Sequence, residues 1–271
     1  MLIINFTPTG MIPTREMTPH VPITPEEIAK DVLEATKFGV SMVHLHARDS
    51  FGEPTYEREI YSEIIDRIRD FDSDLILCVS TSGRNWSEFE KRAECLECKP
   101  DMASLTLSSL NFNKQASINE PDMIQALAKR MQELGINPEL EAFDLGMINY
   151  AKYLYSKSLL DPPFYFNLIL GNIACAQANM LSLGLMVNEL PPESVWSAGG
   201  VGDSQLKVNV TAMINGGGVR VGLEDNIYYD TGRKRLAINL DLVKRIHHIA
   251  ETLEIPIATP KEVRKCLHLS L

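Results

Sequence analysis

The run Met42-Val43-His44-Leu45-His46-Ala47-Arg48 alternates apolar and polar residues without a break. That is the period-2 signature of a strand, with His44, His46 and Arg48 on one face and Val43, Leu45 and Ala47 on the other. Two imidazoles spaced i, i+2 lie roughly 6.6 Å apart at the backbone, a gap that one metal ion bridges when both rings lean inward. A His-x-His pair alone is equally at home as two hydrogen-bonded histidines of a half-buried strand, so a third ligand has to decide. Glu224, in the adjacent pair Glu224-Asp225 with Arg220 shortly before it, is the candidate.

The elements that must position these groups follow from the hydrophobic pattern. Strand-like runs appear at 2–8, 40–48, 74–81, 102–109, 137–144, 164–171, 194–201 and 218–225. Segments of helical period lie between them at 24–39, 56–72, 85–99, 120–135, 146–159, 174–190 and 204–216, with a last one at 239–254. The first opens with Thr24 as cap, Pro25 at the first helical position and glutamates in the first turn. Eight strands alternating with eight helices over one uninterrupted chain of 271 residues predict a single-domain (β/α)8 TIM barrel over 1–271. The alternative, an open doubly wound sheet, carries a glycine-rich turn after its first strand, which Thr7-Pro8-Thr9-Gly10 matches poorly.

In a closed barrel, alternation assigns an interior that is unusually polar: Asn5, Thr7, His44, His46, Arg48, Cys78, Ser80, Ser104, Thr106, Ser108, Glu139, Glu141, Asn167, Arg220, Gly222 and Glu224. A barrel interior is ordinarily filled by Val, Ile and Leu, and polar groups buried without partners cost several kcal/mol. A ligand or metal at the mouth satisfies them. Strand 8 closes onto strand 1, so it stands two strand spacings, about 9.6 Å, from strand 2. Glu224 and His46 both fall near C-terminal strand ends, where barrel active sites are built. Two imidazoles and a carboxylate form a catalytic zinc set with one position left open. The competing reading of Glu224 is an ion pair with Arg220.

A formal net charge of −10 argues against a nucleic-acid partner. No apolar run approaches the roughly 18 residues of a membrane span, and the N-terminus shows no signal-peptide pattern, so a cytoplasmic location is expected. Five cysteines without that signal read as free thiols, including the isolated pair Cys95 and Cys98.

The segments Pro22–Glu27 (PITPEE), Val43–Asp49 (VHLHARD), Lys99–Leu105 (KPDMASL), Pro138–Glu141 (PELE) and Val219–Asn226 (VRVGLEDN) resemble the β-keto acid cleavage enzymes, the family of the 3-keto-5-aminohexanoate cleavage enzyme. The likeness continues to Ile257–Arg264 (IATPKEVR). It implies a zinc-dependent barrel, usually a homotetramer, that takes a β-keto acid and acetyl-CoA to acetoacetate and a new acyl-CoA by a retro-Claisen step. It further implies His44, His46 and Glu224 as zinc ligands, and Ser80, Gly83 and Ser104 as holders of the substrate's carboxylate end. Asp225, poised by Arg220, is implied as the base. Departures from the family pattern stand at Gly218, in place of a histidine, and at Asp203, in place of a cation. Others are the loop Gly171–Cys175, Thr106 and Ser108, which change the expected CoA rim, and Ile12 in place of an acidic partner for an ammonium. An uncharged substrate tail is therefore expected.

Overall fold

The computed structural model describes residues 1–270. Eight parallel strands close into a barrel: β1 (Ile4–Phe6), β2 (Met42–Leu45), β3 (Ile76–Val79), β4 (Met102–Thr106), β5 (Asn137–Ala142), β6 (Phe164–Leu170), β7 (Ser194–Gly200) and β8 (Gly218–Val221). Each strand pairs with its neighbours in chain order, and β8 returns to β1, with Asn5 level with Arg220. This is the (β/α)8 fold that the alternation of elements predicts.

The helices are α1 (Pro25–Thr36), α2 (Arg58–Arg69), α3 (Phe89–Ala93), α4 (Pro121–Leu134), α5 (Leu145–Ser156), α6 (Met180–Asn188), α7 (Gln205–Ile214), α8 (Asn239–Thr252) and α9 (Pro260–Cys266). α1 begins as its sequence dictates: Thr24 accepts from the Glu27 amide and the Glu27 carboxylate accepts from the Thr24 amide. Two helices are shorter than their periodic segments. The segment 85–99 is helical only over α3 and then tightens into a 3₁₀ turn at Glu94–Cys98. The segment 174–190 starts its helix only at Met180, because Asn179 caps it by accepting from the Ser182 amide. Two hairpins ornament the mouth, Ala47–Arg48 with Pro54–Thr55 and Leu110–Asn111 with Ala116–Ser117.

The outward side chains of the strands, among them Ile4, Phe6, Val43, Leu45, Leu77, Val79, Leu105, Phe166 and Val221, form one apolar layer under the helices. The inward side chains divide by height. At the N-terminal end, Ile3, Met42, Ile76, Met102 and Tyr165 form an apolar plug, closed by Val263 and Leu267 of α9. Asn137 secures that lid by donating to the Leu267 carbonyl at 3.1 Å. Above the plug lie Asn5, His44, Glu139, Asn167 and Arg220, all fully or almost fully buried. The polar interior is therefore confined to the half of the barrel that opens to the mouth.

Candidate active site

Strand β2 delivers His44 from within the strand and His46 from just beyond its end, as the alternation requires. The two Nε2 atoms face each other at 3.2 Å. On its other side, His44 Nδ1 donates to Glu139 Oε2 at 2.6 Å. Glu139 is in turn fixed by Asn5 (2.7 Å), Asn167 (2.9 Å) and the Cys78 thiol (3.2 Å). A carboxylate on Nδ1 sets the tautomer and leaves the Nε2 lone pair facing the mouth, an arrangement typical of metal-binding histidines.

Glu224 reaches the same point from beyond β1, which separates β8 from β2, but not from a strand. β8 ends at Val221, and Leu223-Glu224-Asp225 form a turn. Three bonds shape that turn: Leu223 N to Asn239 Oδ1, Glu224 N to the Thr7 carbonyl, and Gln205 Nε2 to the Gly222 carbonyl. Strict alternation would send Glu224 and Asp225 to opposite faces of the sheet. The turn brings both inward. Gly10 makes room for it, since its φ of +67° suits glycine and a Cβ there would meet Glu224 Cγ at 2.4 Å.

Glu224 Oε1 lies 3.1 Å from His46 Nε2 and 4.0 Å from His44 Nε2, while Oε2 is buried with no hydrogen-bond partner. His44, His46 and Glu224 thus offer three ligand atoms within 4.8 Å of one another. A second triplet, His44, Cys78 and Glu139, meets the same spacing, but its His44–Glu139 contact is already a hydrogen bond, so the mouth-facing set is the better candidate. The competing reading of Glu224 is also realised, because Arg220 Nη2 donates to the same Oε1 at 2.7 Å. One oxygen serves both, and the other stays free for a cation.

Arg220 is wholly buried and holds Asp225 through Nε to Oδ2 at 2.8 Å, with Glu141 at 3.5 Å from its Nη1. Burial would lower the basicity of His44, yet the carboxylates of Glu139 and Glu224 outweigh it and raise His44 to about 9. Burial dominates at His46 and lowers it to about 4. The two rings are thereby set apart, His44 favouring positive charge beside its carboxylates and His46 held neutral by burial. Burial works against ionised Glu224, but Arg220 and the histidines hold it well below the usual carboxylate range. For Asp225, burial outweighs the Arg220 charge and raises its pKa. Arg220 pulls both carboxylates down, and burial overrides it only at Asp225, so Glu224 is held as an anion while the Asp225 carboxyl is the more basic of the two.

Ser80 lies at the end of β3 and shares a cleft with His46, Met11, Tyr61 and Trp86. Gly83 follows in the same loop, pressed so close that a Cβ would meet the Ile118 carbonyl at 2.3 Å. Ser104 on β4 accepts from the Thr81 amide at 3.1 Å and so anchors that loop. Two residues expected inside are not. Arg48 leaves the barrel in the hairpin, clamps the loop after β1 through the carbonyls of Gly10 and Pro13, and closes its own hairpin on the Gly52 carbonyl. Ser108 lies beyond the end of β4, its carbonyl accepting from Asn119. Gly218 belongs to the lower barrel rather than to the rim, where a Cβ would meet Ser197 Oγ at 2.3 Å. Ser197 instead accepts from Tyr165, itself bonded by Asn5. The buried amides Gln205, Asn209 and Asn239 that brace β8 and its turn carry no local pattern marking them for that role; their helical spacing marks only the face they occupy.

With this geometry in place, the sequence matches the profile of the beta-keto acid cleavage enzyme family over residues 1–269. The chain belongs to that family. A 3-keto-5-aminohexanoate cleavage enzyme of Fusobacterium nucleatum is 37% identical, covering 99% of this chain and 98% of the relative. The 3-dehydrocarnitine:acetyl-CoA trimethylamine transferase of Rhizobium meliloti is 33% identical, covering 99% and 97%. The 3-oxoadipate:acetyl-CoA acetyltransferase of Cupriavidus necator is also 33% identical, covering 98% and 94%. Apo ObcA shares the fold with a TM-score of 0.82 at 22% identity, over 93% of this chain and 66% of that one. The family is that of β-keto acid cleavage, and the relatives are named for different substrates: 3-keto-5-aminohexanoate, 3-dehydrocarnitine and 3-oxoadipate. Among the described residues no helix is long and apolar enough to cross a membrane.

Proposed function

We propose that the protein is a zinc-dependent β-keto acid cleavage enzyme that uses acetyl-CoA. The observation that carries the reading is the meeting of His44, His46 and Glu224 beside the Arg220–Asp225 pair at the barrel mouth. These three residues would hold the zinc, and the buried, unpartnered Glu224 Oε2 marks a donor set made for a cation. Zinc bound there supplies Lewis acidity to the substrate's keto oxygen and so acidifies the neighbouring methylene.

The chain's own residues do the rest. Asp225 takes the methylene proton at Oδ1, the oxygen held less tightly by Arg220 (3.4 Å). A base raised by burial is better matched to that transfer than an ordinary aspartate. Arg220 keeps the carboxylate aimed and balances its charge. Glu139 keeps His44 in one tautomer. Ser80, Gly83 and Ser104 receive the substrate's carboxylate end. The deprotonated carbon attacks the acetyl thioester, and the released CoA thiolate adds to the original ketone. Breaking the bond between that ketone carbon and the former methylene carbon then yields the acyl-CoA of the tail and an acetoacetate carbanion, to which Asp225 returns the proton. Ile12, half-exposed in the loop after β1, presents no charge to the tail, which supports an uncharged one. Met180, Leu181 and Leu185 expose an apolar face on α6, which supports a homo-oligomer.

The test is a panel of β-keto acids offered to metal-analysed protein with and without acetyl-CoA, following acyl-CoA by mass. Stoichiometric zinc and acyl-CoA formed only with acetyl-CoA are expected. Turnover without CoA would replace the reading with a zinc C–C hydrolase.

A further inference from the structure

We infer that Arg84 is the cation that binds the carboxylate of the β-keto acid, a role in substrate recognition that rests on the function proposed above. Arg84 follows Gly83 in the loop after β3, next to the residues proposed to receive that end of the substrate. Its guanidinium carbon lies over the Phe112 ring, 3.8 Å from the centroid. Phe112 is itself braced edge-on by Phe143 at 5.9 Å. The Arg84 backbone is held by Gln115, whose side chain donates to the Arg84 carbonyl at 2.8 Å. Stacking engages the face of the guanidinium and leaves its N–H edge available, the edge that matches a carboxylate bidentately.

What sets Arg84 apart is that this edge has no partner. Its Nε is buried without a hydrogen bond, and the guanidinium enters no ion pair with any described residue. The other buried arginines are engaged: Arg48 by three carbonyls, Arg92 by Thr81, Ile118 and Asn119, Arg220 by carboxylates, and Arg264 by carbonyls and Asp101. A half-buried guanidinium left unpaired is costly unless a ligand completes it. Glu224, Glu141 and Asp225 pull on Arg84 through space, which sets it within range of the site's charges. Of those carboxylates, Asp225 is taken by Arg220 and Glu141 by Thr106, and Glu224 pairs with His46 and Arg220 through Oε1, its Oε2 belonging to the donor set proposed for zinc. The anion that Arg84 lacks must come from the ligand, and every β-keto acid brings one.

Zinc-loaded wild type, Arg84→Gln and Arg84→Lys are compared in calorimetric binding of two probes, acetoacetate and neutral pentane-2,4-dione. A lost charge-assisted hydrogen bond predicts that Arg84→Gln weakens acetoacetate about 10–100-fold and leaves pentane-2,4-dione within about twofold. Arg84→Lys keeps the charge without the fork and should fall between the two. Equal weakening of both probes with a lower Tm would overturn the inference and make Arg84 a structural clamp on Phe112. A raised KM for acetyl-CoA with acetoacetate binding intact would overturn it in favour of a CoA phosphate. If wild type binds neither probe, the proposed function and this inference fall together. If wild type binds acetoacetate and Arg84→Gln binds it equally well, only this inference falls.

Discussion

The two ends of the barrel interior are built from the same strands and are chemical opposites. Toward the N-terminal ends, Met42, Ile76 and Met102 fill the space and α9 seals it. Two residues further along β2, His44 begins a layer that includes Asn5, Glu139, Asn167 and Arg220. The lower layer contributes stability through burial of apolar area. The upper layer concentrates charges that have to be balanced within the site, by Arg220 and, in the function proposed above, by a bound cation. A barrel of this kind keeps its fold and its chemistry at different heights, so substitutions at the two heights should separate them.

The largest effect is expected from Glu224→Gln. It removes an anionic ligand and should cost both zinc and turnover, measured by metal analysis and by acyl-CoA formation on one preparation. Retained zinc at wild-type stoichiometry would show that the cation sits elsewhere, with His44, Cys78 and Glu139 as the remaining candidate set.

Asp225→Asn should come next, lowering kcat by roughly 10²–10⁴ as expected for loss of a positioned base while zinc content holds. Loss of zinc together with activity would recast Asp225 as support for Glu224.

Arg220→Lys and Met42→Ala put the two heights in direct opposition. The lysine keeps a buried charge but cannot hold Asp225 and Glu224 in one planar fork, so kcat should fall sharply while Tm changes little. Met42→Ala opens a cavity in the plug and should cost about 2–5 kcal/mol of stability, with kcat per folded molecule near normal. If both variants lose Tm and neither loses kcat, the upper layer is a structural core like the lower one.

The smallest effect concerns the tail. With Ile12 where an acidic partner would stand, neutral β-keto acids should exceed ammonium-bearing ones in kcat/KM. A preference for the amino-substituted acid would mean that another carboxylate meets it.

Much of this was legible before any coordinates. Repeated alternation of strand and helix patterns gives the barrel, because in a parallel sheet each crossover must cover a strand face. The run through His44 and His46 gives the histidine pair, because a strand's period is two and the alternation carries one residue past the end of β2. Legibility fails where the chain leaves regular structure. Arg48 continues the alternation on paper but sits in a hairpin and holds the loop after β1. Glu224 and Asp225 converge on Arg220 only because the turn after β8 abandons the alternation, held by Asn239, Gln205 and Thr7 from distant parts of the chain. Arg84 has no signature at all, since lacking a partner is a property of surroundings rather than of sequence.

Local periodicity therefore determined the barrel, the polar half of its interior and the histidine pair, each a consequence of neighbours along one strand. Only the tertiary structure decided that Arg220 and the histidines hold Glu224 as an anion while burial raises the pKa of Asp225. It also decided that Glu139 orients His44 from across the barrel, 95 residues away. Electrostatic environment and hydrogen-bond partnership are set by groups distant in sequence, and those meet only when the barrel closes.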